Sequence, residues 1–406
     1  MTPTGIDHRP PLLLLIALAG IGPLALNIFI PSMPGMTRVF GVSYGTVQLT
    51  LTLYLIGVAV AQLFIGALSD KHGRRPVLLV GMVLFVLGSG ICAAAGTIEV
   101  LIAGRIVQAV GGSTGLVLSR AIARDINDHV GATRMVAYIT MAMVVAPMLG
   151  PAIGGYLEDA FGWWSGFVLV AMLGVVVLLA AVRWLVETHH ERRPMPGFAG
   201  MLADYATLMR SPCFVGYALN ATFSTGVFFS ILAGAPNIMV EQRGRSPREY
   251  GLYVMLVSGG YMLGNFTAAR LSMRIGTDRM VIYGSALALL GTTLLWLFAS
   301  GSQPTPLAFF GPTALIGFAN GLSLPNSMVG AVSVDPKLAG TASGLAGFIQ
   351  MAIGALGTLV VGHLQDETQF PMLTVMTTSA VLAVLAFLLA LSAQERLRRR
   401  QLPGPG

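Results

Sequence analysis

The sequence predicts an all-α membrane protein with twelve transmembrane helices in two pseudo-symmetric six-helix bundles. Three observations lead to this fold class. Only 10% of the 406 residues are charged and 55% are hydrophobic, whereas soluble domains carry about 25% charged residues. Long apolar runs recur along the whole chain. A charged motif after the second run is partly repeated 203 residues later.

The apolar runs have the length of membrane spans. A helix needs about 20 mainly apolar residues to cross roughly 30 Å of hydrocarbon. The third, sixth, ninth and twelfth runs are the most apolar, and the others contain Gly, Pro, Asn, Gln or one Arg. The predicted spans are, in order, 11–33, 45–68, 76–95, 98–122, 134–157, 163–186, 212–238, 250–272, 279–299, 306–331, 338–362 and 371–393.

The first run has a second interpretation. Arg9 followed by PLLLLIALAG resembles a secretory signal peptide, with Ala17 and Ala19 as a possible cleavage pair. The apolar run continues through Ile30, which is longer than a signal core requires. We therefore expect an uncleaved first span, whereas cleavage would leave eleven spans.

Basic residues predict the orientation. With alternating spans, nineteen of the 24 Lys and Arg residues fall on the side of the N-terminus, four fall on the other side, and Arg105 lies within a span. Because cytoplasmic loops are rich in Lys and Arg, both termini are predicted to be cytoplasmic. The net charge of +7 is then a property of loops, and it does not indicate a nucleic-acid-binding face.

Cysteine and histidine spacing indicates neither a disulfide framework nor a metal site. Cys92 and Cys213 are far apart, and the six histidines fall in loops or at helix ends. We therefore expect no metal and no cofactor.

A polar segment divides the chain into two halves. The predicted parts are an N-terminal six-helix bundle at 1–187, a cytoplasmic linker at 188–211, and a C-terminal bundle with a short basic tail at 212–406. A parallel internal repeat of six spans is typical of one transporter architecture. The repeated positions pair Ser69, Lys71, Gly73, Val77, Leu78 and Gly81 with Ser272, Arg274, Gly276, Met280, Val281 and Gly284.

Three motifs carry a resemblance to the major facilitator superfamily. The segment GALSDKHGRRP at 66–76 is similar to that family's loop motif between helices 2 and 3. Arg105 and Gln108 in RIVQAVGGSTG resemble its helix 4 motif, and GPAIGG at 150–155 resembles the helix 5 motif of antiporters. IFIPSMP, VQLTLTLYLIGVAVAQLFIG and GTASGLAGFIQMAIGALG resemble the Bcr/CflA (bicyclomycin/chloramphenicol resistance) branch of drug:proton antiporters.

The resemblance implies that the loop motif is a gate. Asp70 would face the cytoplasmic start of helix 11 near Gly340 and Thr341, where a helix N-terminus favours an anion. The two arginines would reach Asp125 at the end of helix 4, and the contacts would break when the cytoplasmic side opens. Two glycines would allow tight turning and close backbone approach. A basic anchor in the loop is the simpler alternative, but it would require neither Asp70 nor the glycines. The predicted gating residues are Gly66, Asp70, Gly73, Arg74, Arg75 and Asp125.

A run of small and kinking residues marks the fifth span. Small residues allow close packing of membrane helices, and proline kinks a helix. The resemblance places this face against helix 8, where it would seal the outer side, and ordinary small-residue packing is the alternative. The motif consists of Ala146, Pro147, Gly150, Pro151, Gly154 and Gly155.

Arg105 lies within the fourth span, about seven residues or roughly 10 Å from the outer side. A charge at that depth is a functional hypothesis by default, and a snorkelling Arg that meets Glu99 is the alternative. None of the 17 acids falls in the middle of a span. Members of the resembled branch usually carry an aspartate in helix 1 where this chain has Asn27, which cannot titrate.

Three outcomes follow for coupling. A rim carboxylate such as Asp70, Asp125 or Glu99 could exchange the proton. The carrier could be uncoupled. Arg105, without an acidic partner at position 27, could instead bind an anionic or carboxyl-bearing substrate, because an unpaired buried charge requires compensation.

The family architecture places helices 1, 4, 7 and 10 around a central cavity. An apolar cavity with a few amides and aromatic rings suits amphipathic organic molecules, whereas core packing or an interhelical hydrogen bond would also explain each residue. The candidates are Asn27, Tyr54, Arg105, Gln108, Asn220, Phe228, Phe229, Asn320 and Asn326.

The resemblance implies a monomeric exporter of small organic compounds or drugs in the bacterial inner membrane. Alternating access and antiport with protons are expected. Export of a metabolite, including an anionic one, is the alternative, followed by a membrane sensor or scaffold without transport. An enzyme is not expected, since no embedded cluster of His or acid could run acid–base chemistry.

Overall fold

The computed structural model describes residues 10–127, 129–189, 198–299, 305–335, 338–364, 366 and 368–401. Residues 1–9, including Arg9, and residues 190–197 of the expected linker lie outside this range. The described residues contain helices and no strands. The helices are α1 Leu12–Ile28, α2 Met33–Phe40, α3 Tyr44–His72, α4 Arg74–Ala93, α5 Ile98–Asp125, α6 His129–Phe161, α7 Ser165–Trp184, α8 Phe198–Met209, α9 Pro212–Pro236, α10 Pro247–Ile275, α11 Thr277–Ala299, α12 Pro306–Val332, α13 Ala339–Leu364 and α14 Phe370–Gln401.

Within the described residues, ten segments are long and apolar enough to cross a membrane. They coincide with ten of the twelve predicted spans. The other two predicted spans, 134–157 and 250–272, lie within α6 and α10, which have 33 and 29 residues. Helices satisfy every backbone hydrogen bond internally, which explains why so apolar a chain is helical. The predicted all-helical membrane fold is confirmed.

The first span is longer than expected and contains a break. Its apolar segment covers Leu12–Phe40, beyond the predicted limit of residue 33. A short 3-10 turn at Ile30–Ser32 separates α1 from α2. Pro31 lies at the start of this turn, and it removes a backbone donor that a continuous α-helix would use.

The chain divides into two compact units. The first contains Met1–Pro196 and Arg245–Leu252, and the second contains Gly197–Gly244 and Tyr253–Gly406. The first N-terminal turns of α10 thus belong to the first unit. The segment expected as a linker contains α8 in its C-terminal part, so this stretch is partly ordered as a helix.

The internal repeat has a structural counterpart at two glycines. Gly73 joins α3 to α4 with φ of +101°, and Gly276 joins α10 to α11 with φ of +95°. The Gly73 N–H donates to the Ser69 carbonyl and the Gly276 N–H donates to the Ser272 carbonyl, both at 2.9 Å. L-residues with side chains disfavour positive φ, so glycine is required at both turns. The two turns have the same local geometry at positions 203 residues apart.

The backbones of α4 and α5 approach each other closely, and this packing sets the orientation of α5 in the first unit. A Cβ on Gly88 would collide with the backbone of Gln108, and one on Gly111 would collide with the backbone of Phe85. Small residues bring the two helices together. This packing directs one face of α5 toward α1 and α3, and that face includes Arg105.

A buried arginine and a charged rim in the first unit

Arg105 is the largest fully buried side chain of the described residues, at 0% exposure. Its Nη1 donates to the Ala25 carbonyl of α1 at 3.1 Å and to the Gln108 Oε1 at 2.5 Å. Gln108 in turn donates from Nε2 to the Ser89 Oγ of α4 at 2.8 Å. Arg105 therefore connects α5 to α1, and Gln108 is held in place by α4. The snorkelling alternative is excluded in this structure, since the side chain is wholly buried.

Aromatic rings cover the Arg105 guanidinium. Its Cζ lies 4.1 Å from the centroid of Phe29 and 4.0 Å from that of Tyr54. Phe167 contributes a third ring at 5.8 Å. Tyr54 is fixed because its hydroxyl donates to the Gly22 carbonyl at 3.0 Å. Cation–π attraction at this distance compensates part of the cost of burying the charge.

One edge of the guanidinium has no hydrogen-bond partner in the described part of the chain. Among the described residues, Arg105 Nε and Nη2 are buried without a hydrogen-bond acceptor. The salt bridges of the described residues do not include Arg105. Glu99, the acid expected from the sequence as a neighbour, is on the surface and is hydrogen-bonded by Thr97. Three of the five N–H donors of this buried cation, one on Nε and two on Nη2, thus have no acceptor among the described residues.

Asn27 lies on a different face of α1 from the one that contacts Arg105. Ala25 and Phe29 both touch Arg105, and they are one helical turn apart. Asn27 falls between them, and its Cβ packs against Gly150 of α6. Its Nδ2 donates to the Pro23 carbonyl at 2.8 Å, and its Oδ1 is buried without a partner among the described residues. Asn27 and Arg105 are therefore not direct partners, although the sequence predicts a similar depth in the membrane for both.

Arg74 is the centre of the charged rim. Its Nη1 pairs with Asp70 Oδ1 at 2.5 Å and donates to Ser69 Oγ at 2.5 Å. Its Nε donates to Asp125 Oδ2 at 3.0 Å. These contacts join the end of α3, the start of α4 and the end of α5. The sequence reading named Asp125 as a contact, and the structure places it there.

Arg75 contacts a different part of the rim from Arg74. Its Nη2 donates to the Val182 carbonyl of α7 at 3.1 Å. The expectation that both arginines reach Asp125 therefore holds for Arg74 alone. Gly66 also differs from expectation, because a Cβ built there meets no described atom within 4 Å. Close backbone approach at Gly66 is absent from the described part of this structure.

Glu187 is a rim residue for which the sequence predicted no role. Its carboxylate accepts from the backbone N–H groups of Arg74, Arg75, Thr188 and His189 at 2.8–3.2 Å. It thereby caps the N-terminus of α4, where an anion is favoured. Burial raises its pKa, but the four backbone donors outweigh burial and leave the pKa lowered. The signal available in the sequence was an acid directly after a span, and its partner lies over one hundred residues away.

The small residues of α6 lie on two faces. A Cβ on Gly150 would press on Asn27, and one on Gly154 would collide with the Ile28 carbonyl, so these two glycines pack on α1. A Cβ on Gly155 would collide with the Pro247 backbone of the first unit. Pro151 lies on this second side, because its carbonyl is beside Gly251. Pro147 lies one turn before Pro151 inside the helix.

The expected cavity residues of the second unit differ in how far their side chains are already engaged in hydrogen bonds or packing within the protein. Asn220 is saturated: Nδ2 donates to Ser285 Oγ and the Ala383 carbonyl, and Oδ1 accepts from Ser327 Oγ. Asn320 donates to the Ser224 carbonyl at 3.0 Å, and its Oδ1 has no described partner. Asn326 donates to its own helix at the Leu322 carbonyl. Phe228 packs against Phe229 with ring centroids 6.0 Å apart.

The described residues contain no group of three His, Cys, Asp or Glu side chains that could hold a metal ion. The titratable groups of the rim are instead paired with arginine or with backbone N–H groups. The rim of the described residues therefore holds ion pairs, and Arg105 is a buried cation apart from them.

Comparison with known proteins identifies the family. The profile of the Major Facilitator Superfamily matches residues 15–358 and 213–406. The Multidrug resistance protein D of Escherichia coli is 30% identical, over 93% of this chain and 94% of that protein. The Bicyclomycin resistance protein homolog of Haemophilus influenzae is 28% identical, over 91% and 93%.

A solved structure has the same fold. A bacterial homolog of the human lysosomal transporter Spinster, in an inward-facing and unoccupied conformation, aligns with a TM-score of 0.75 at 15% identity. The alignment covers 99% of this chain and 100% of that one. Together with the profile match and the full-length relatives, this makes the chain a multi-pass membrane protein that belongs to the Major Facilitator Superfamily of transporters.

Proposed function

We propose that the protein is a secondary active exporter of small organic compounds, including drugs. Its two halves would alternate access to a central site. Full-length similarity to proteins named for bicyclomycin, chloramphenicol and multidrug resistance supports this substrate class. The protein would act as a monomer in the bacterial inner membrane with both termini in the cytoplasm, as the distribution of basic residues favours.

The observation that carries the proposal is the ion-pair network on Arg74. A static scaffold has no need for a partly exposed Asp70–Arg74–Asp125 cluster at the end of three helices. Such ion pairs contribute little net free energy to stability when they are partly hydrated, so they can exchange partners at a small cost in free energy. We propose that they are a latch that closes the cytoplasmic side, with Gly66, Gly73 and Arg75 supporting the loop. Pro151 and Gly155 of α6 would contribute to closure on the outer side.

Proton antiport is the proposed coupling mechanism. Asn27 cannot titrate, so the proton would bind a carboxylate at the rim. Asp70, Asp125 and Glu99 are the candidates. Protonation of Asp70 or Asp125 would neutralise its pair with Arg74, which would link proton binding to release of the latch.

A second candidate function is export of an anionic metabolite. The unpaired Nε and Nη2 of Arg105 favour it, because a buried cation is stabilised by an anion.

The test is accumulation of a panel of drugs in bacterial cells that lack their own drug pumps. Expression of the protein should lower accumulation, and an uncoupler should restore it. Efflux that persists after collapse of the proton gradient would exclude antiport. Unchanged accumulation of every compound would reject drug export. Asn27→Asp tests whether position 27 can take part in coupling. A buried carboxylate there should add a pH dependence that Asn27→Leu lacks, and unchanged transport and pH dependence would make position 27 irrelevant to coupling.

A further inference from the structure

Arg105 is a buried cation without an anionic partner among the described residues. Its two described acceptors, the Ala25 carbonyl and Gln108 Oε1, are both neutral. The titratable groups that interact electrostatically with it are the hydroxyl of Tyr54 and the thiol of Cys92, and neither is a carboxylate. No acid of the whole chain lies in the middle of a predicted span. The interior of the first unit therefore has a positive charge that aromatic rings and dipoles only partly compensate.

The unused donors have a specific geometry. A guanidinium presents Nε–H and one Nη2–H side by side on the same edge, parallel and in one plane. In Arg105 these two nitrogens are the buried ones without an acceptor, while Nη1 is occupied twice. Phe29 and Tyr54 cover the guanidinium at about 4 Å from their centroids. An additional partner must therefore approach in the plane, at this edge.

We propose that the Nε–Nη2 edge of Arg105 binds an anionic group of the transported compound, a carboxylate or another planar oxyanion. Carboxylates match this edge with two parallel hydrogen bonds, and the charge on both partners makes these bonds stronger than neutral ones. The inference rests on the proposed function, since the fully buried edge becomes accessible only when the surrounding helices separate during transport.

The same arrangement predicts discrimination by charge. A neutral amide offers one carbonyl oxygen and leaves the second donor unpaired and the cation uncompensated. A permanent cation is repelled in a region where no carboxylate of the described residues pairs with Arg105. The carrier should therefore prefer organic anions to neutral compounds of equal shape, and it should reject quaternary ammonium compounds.

The experiment measures binding of three matched probes to the purified full chain in lipid nanodiscs by equilibrium dialysis. The probes are 1-naphthoate, 1-naphthamide and 1-naphthyl-trimethylammonium, which share one ring and differ in charge. We expect 1-naphthoate to bind at least about tenfold more tightly than 1-naphthamide, and the ammonium compound to show no saturable binding.

The variants assign the effect to the Arg105 edge. Arg105→Gln should remove the preference for 1-naphthoate. Arg105→Lys keeps the charge and fills a similar volume, but it presents no planar fork, so the preference should fall severalfold without loss of folding. Arg245→Gln removes an exposed surface arginine that pairs with Glu249, and it should change nothing. Size-exclusion profiles check that each variant is folded.

Equal binding of the three probes, absence of saturable 1-naphthoate binding, or an unchanged preference in folded Arg105→Lys and Arg105→Gln would overturn the inference. A different result would reject the proposed function. If cells expressing the protein accumulate every drug normally, drug export is rejected, whatever the binding preference. Drug efflux without any preference for 1-naphthoate would leave the proposed function in place and reject the anion site alone.

Discussion

Arg74 Nε donates to Asp125 Oδ2 at 3.0 Å, which joins the start of α4 to the end of α5 across 51 residues of sequence. The same guanidinium pairs with Asp70 one turn before the Gly73 turn. Arg74 is nearly buried, whereas Asp70 is 40% exposed. The Asp125 side chain is only 20% exposed, so the two acids that pair with Arg74 should contribute differently to stability.

Replacement of Asp125, the less exposed acid, should cost more stability than replacement of Asp70. Asp125→Asn removes a charge-assisted hydrogen bond from a nearly buried arginine, and it should lower the free energy of unfolding by about 2 kcal/mol. Asp70→Asn should change stability by less than about 1 kcal/mol, and it should abolish most transport while membrane insertion remains intact. Thermal unfolding and drug efflux measure the two effects. Glu249→Gln, which breaks the exposed Arg245 pair, is the control, and normal efflux by Asp70→Asn would refute the latch.

The cap by Glu187 should give stability a dependence on acid pH. Its pKa in the folded protein is lowered by backbone donors, and an unfolded Glu has a pKa of about 4.3. The stabilisation is therefore fully present above that unfolded value, and it is lost as the pH falls through the folded value. Unfolding midpoints measured from pH 6 to pH 3 should fall more steeply for the wild type than for Glu187→Gln. Parallel curves for the two proteins would contradict the role of the carboxylate as a cap.

The two repeated glycines provide a matched pair of substitutions. Gly73→Ala and Gly276→Ala both place a side chain at positive φ, at a cost of about 1–3 kcal/mol each. At position 73 the new Cβ would also collide with the Glu187 carboxylate, whereas at position 276 it meets no described atom within 4 Å. The apparent Tm should therefore fall further for Gly73→Ala. An equal loss in both variants would show that the contact with Glu187 contributes nothing.

Two asparagines of the second unit should respond differently to replacement by leucine. Asn220 makes three hydrogen bonds to Ser285, Ala383 and Ser327. An interhelical hydrogen bond in a membrane is worth about 0.6–1.7 kcal/mol, so Asn220→Leu should cost about 2 kcal/mol or more. Asn326 bonds only its own helix among the described residues, so Asn326→Leu should cost much less. Similar unfolding midpoints would contradict a structural role for the three Asn220 hydrogen bonds.

Local features of the fold could be predicted because they depend on residues close in sequence. Long apolar runs require helices in lipid, and ten of the twelve predicted spans coincide with helices that are apolar enough to cross a membrane. The break after Ile28 was missed, since Pro31 and the 3-10 turn leave the apolar pattern uninterrupted. Hydrophobicity indicates that a segment spans the membrane, but it does not reveal a change from α-helix to 3-10 helix within that segment.

Site residues could be predicted where the two interacting residues lie in the same sequence motif. The pair of Asp70 and Arg74 lies one turn apart, and Asp125 could be named because it ends the next helix but one. No role could be predicted for Glu187, since two of its four donors, the N–H groups of Arg74 and Arg75, become its neighbours only when α7 packs beside α4. Likewise, saturation of Asn220 depends on α11, α12 and α14.

The sequence by itself determined that the chain is a helical membrane protein with a repeated Gly turn, a charged rim and one arginine inside a span. The tertiary structure decided what that arginine meets. Ala25 and Phe29 contact Arg105, while Asn27 between them faces Gly150. The physical reason is the rotation of α1: depth in the membrane follows from counting residues, whereas the face that a side chain occupies is set by the packing of α1 against α5 and α6.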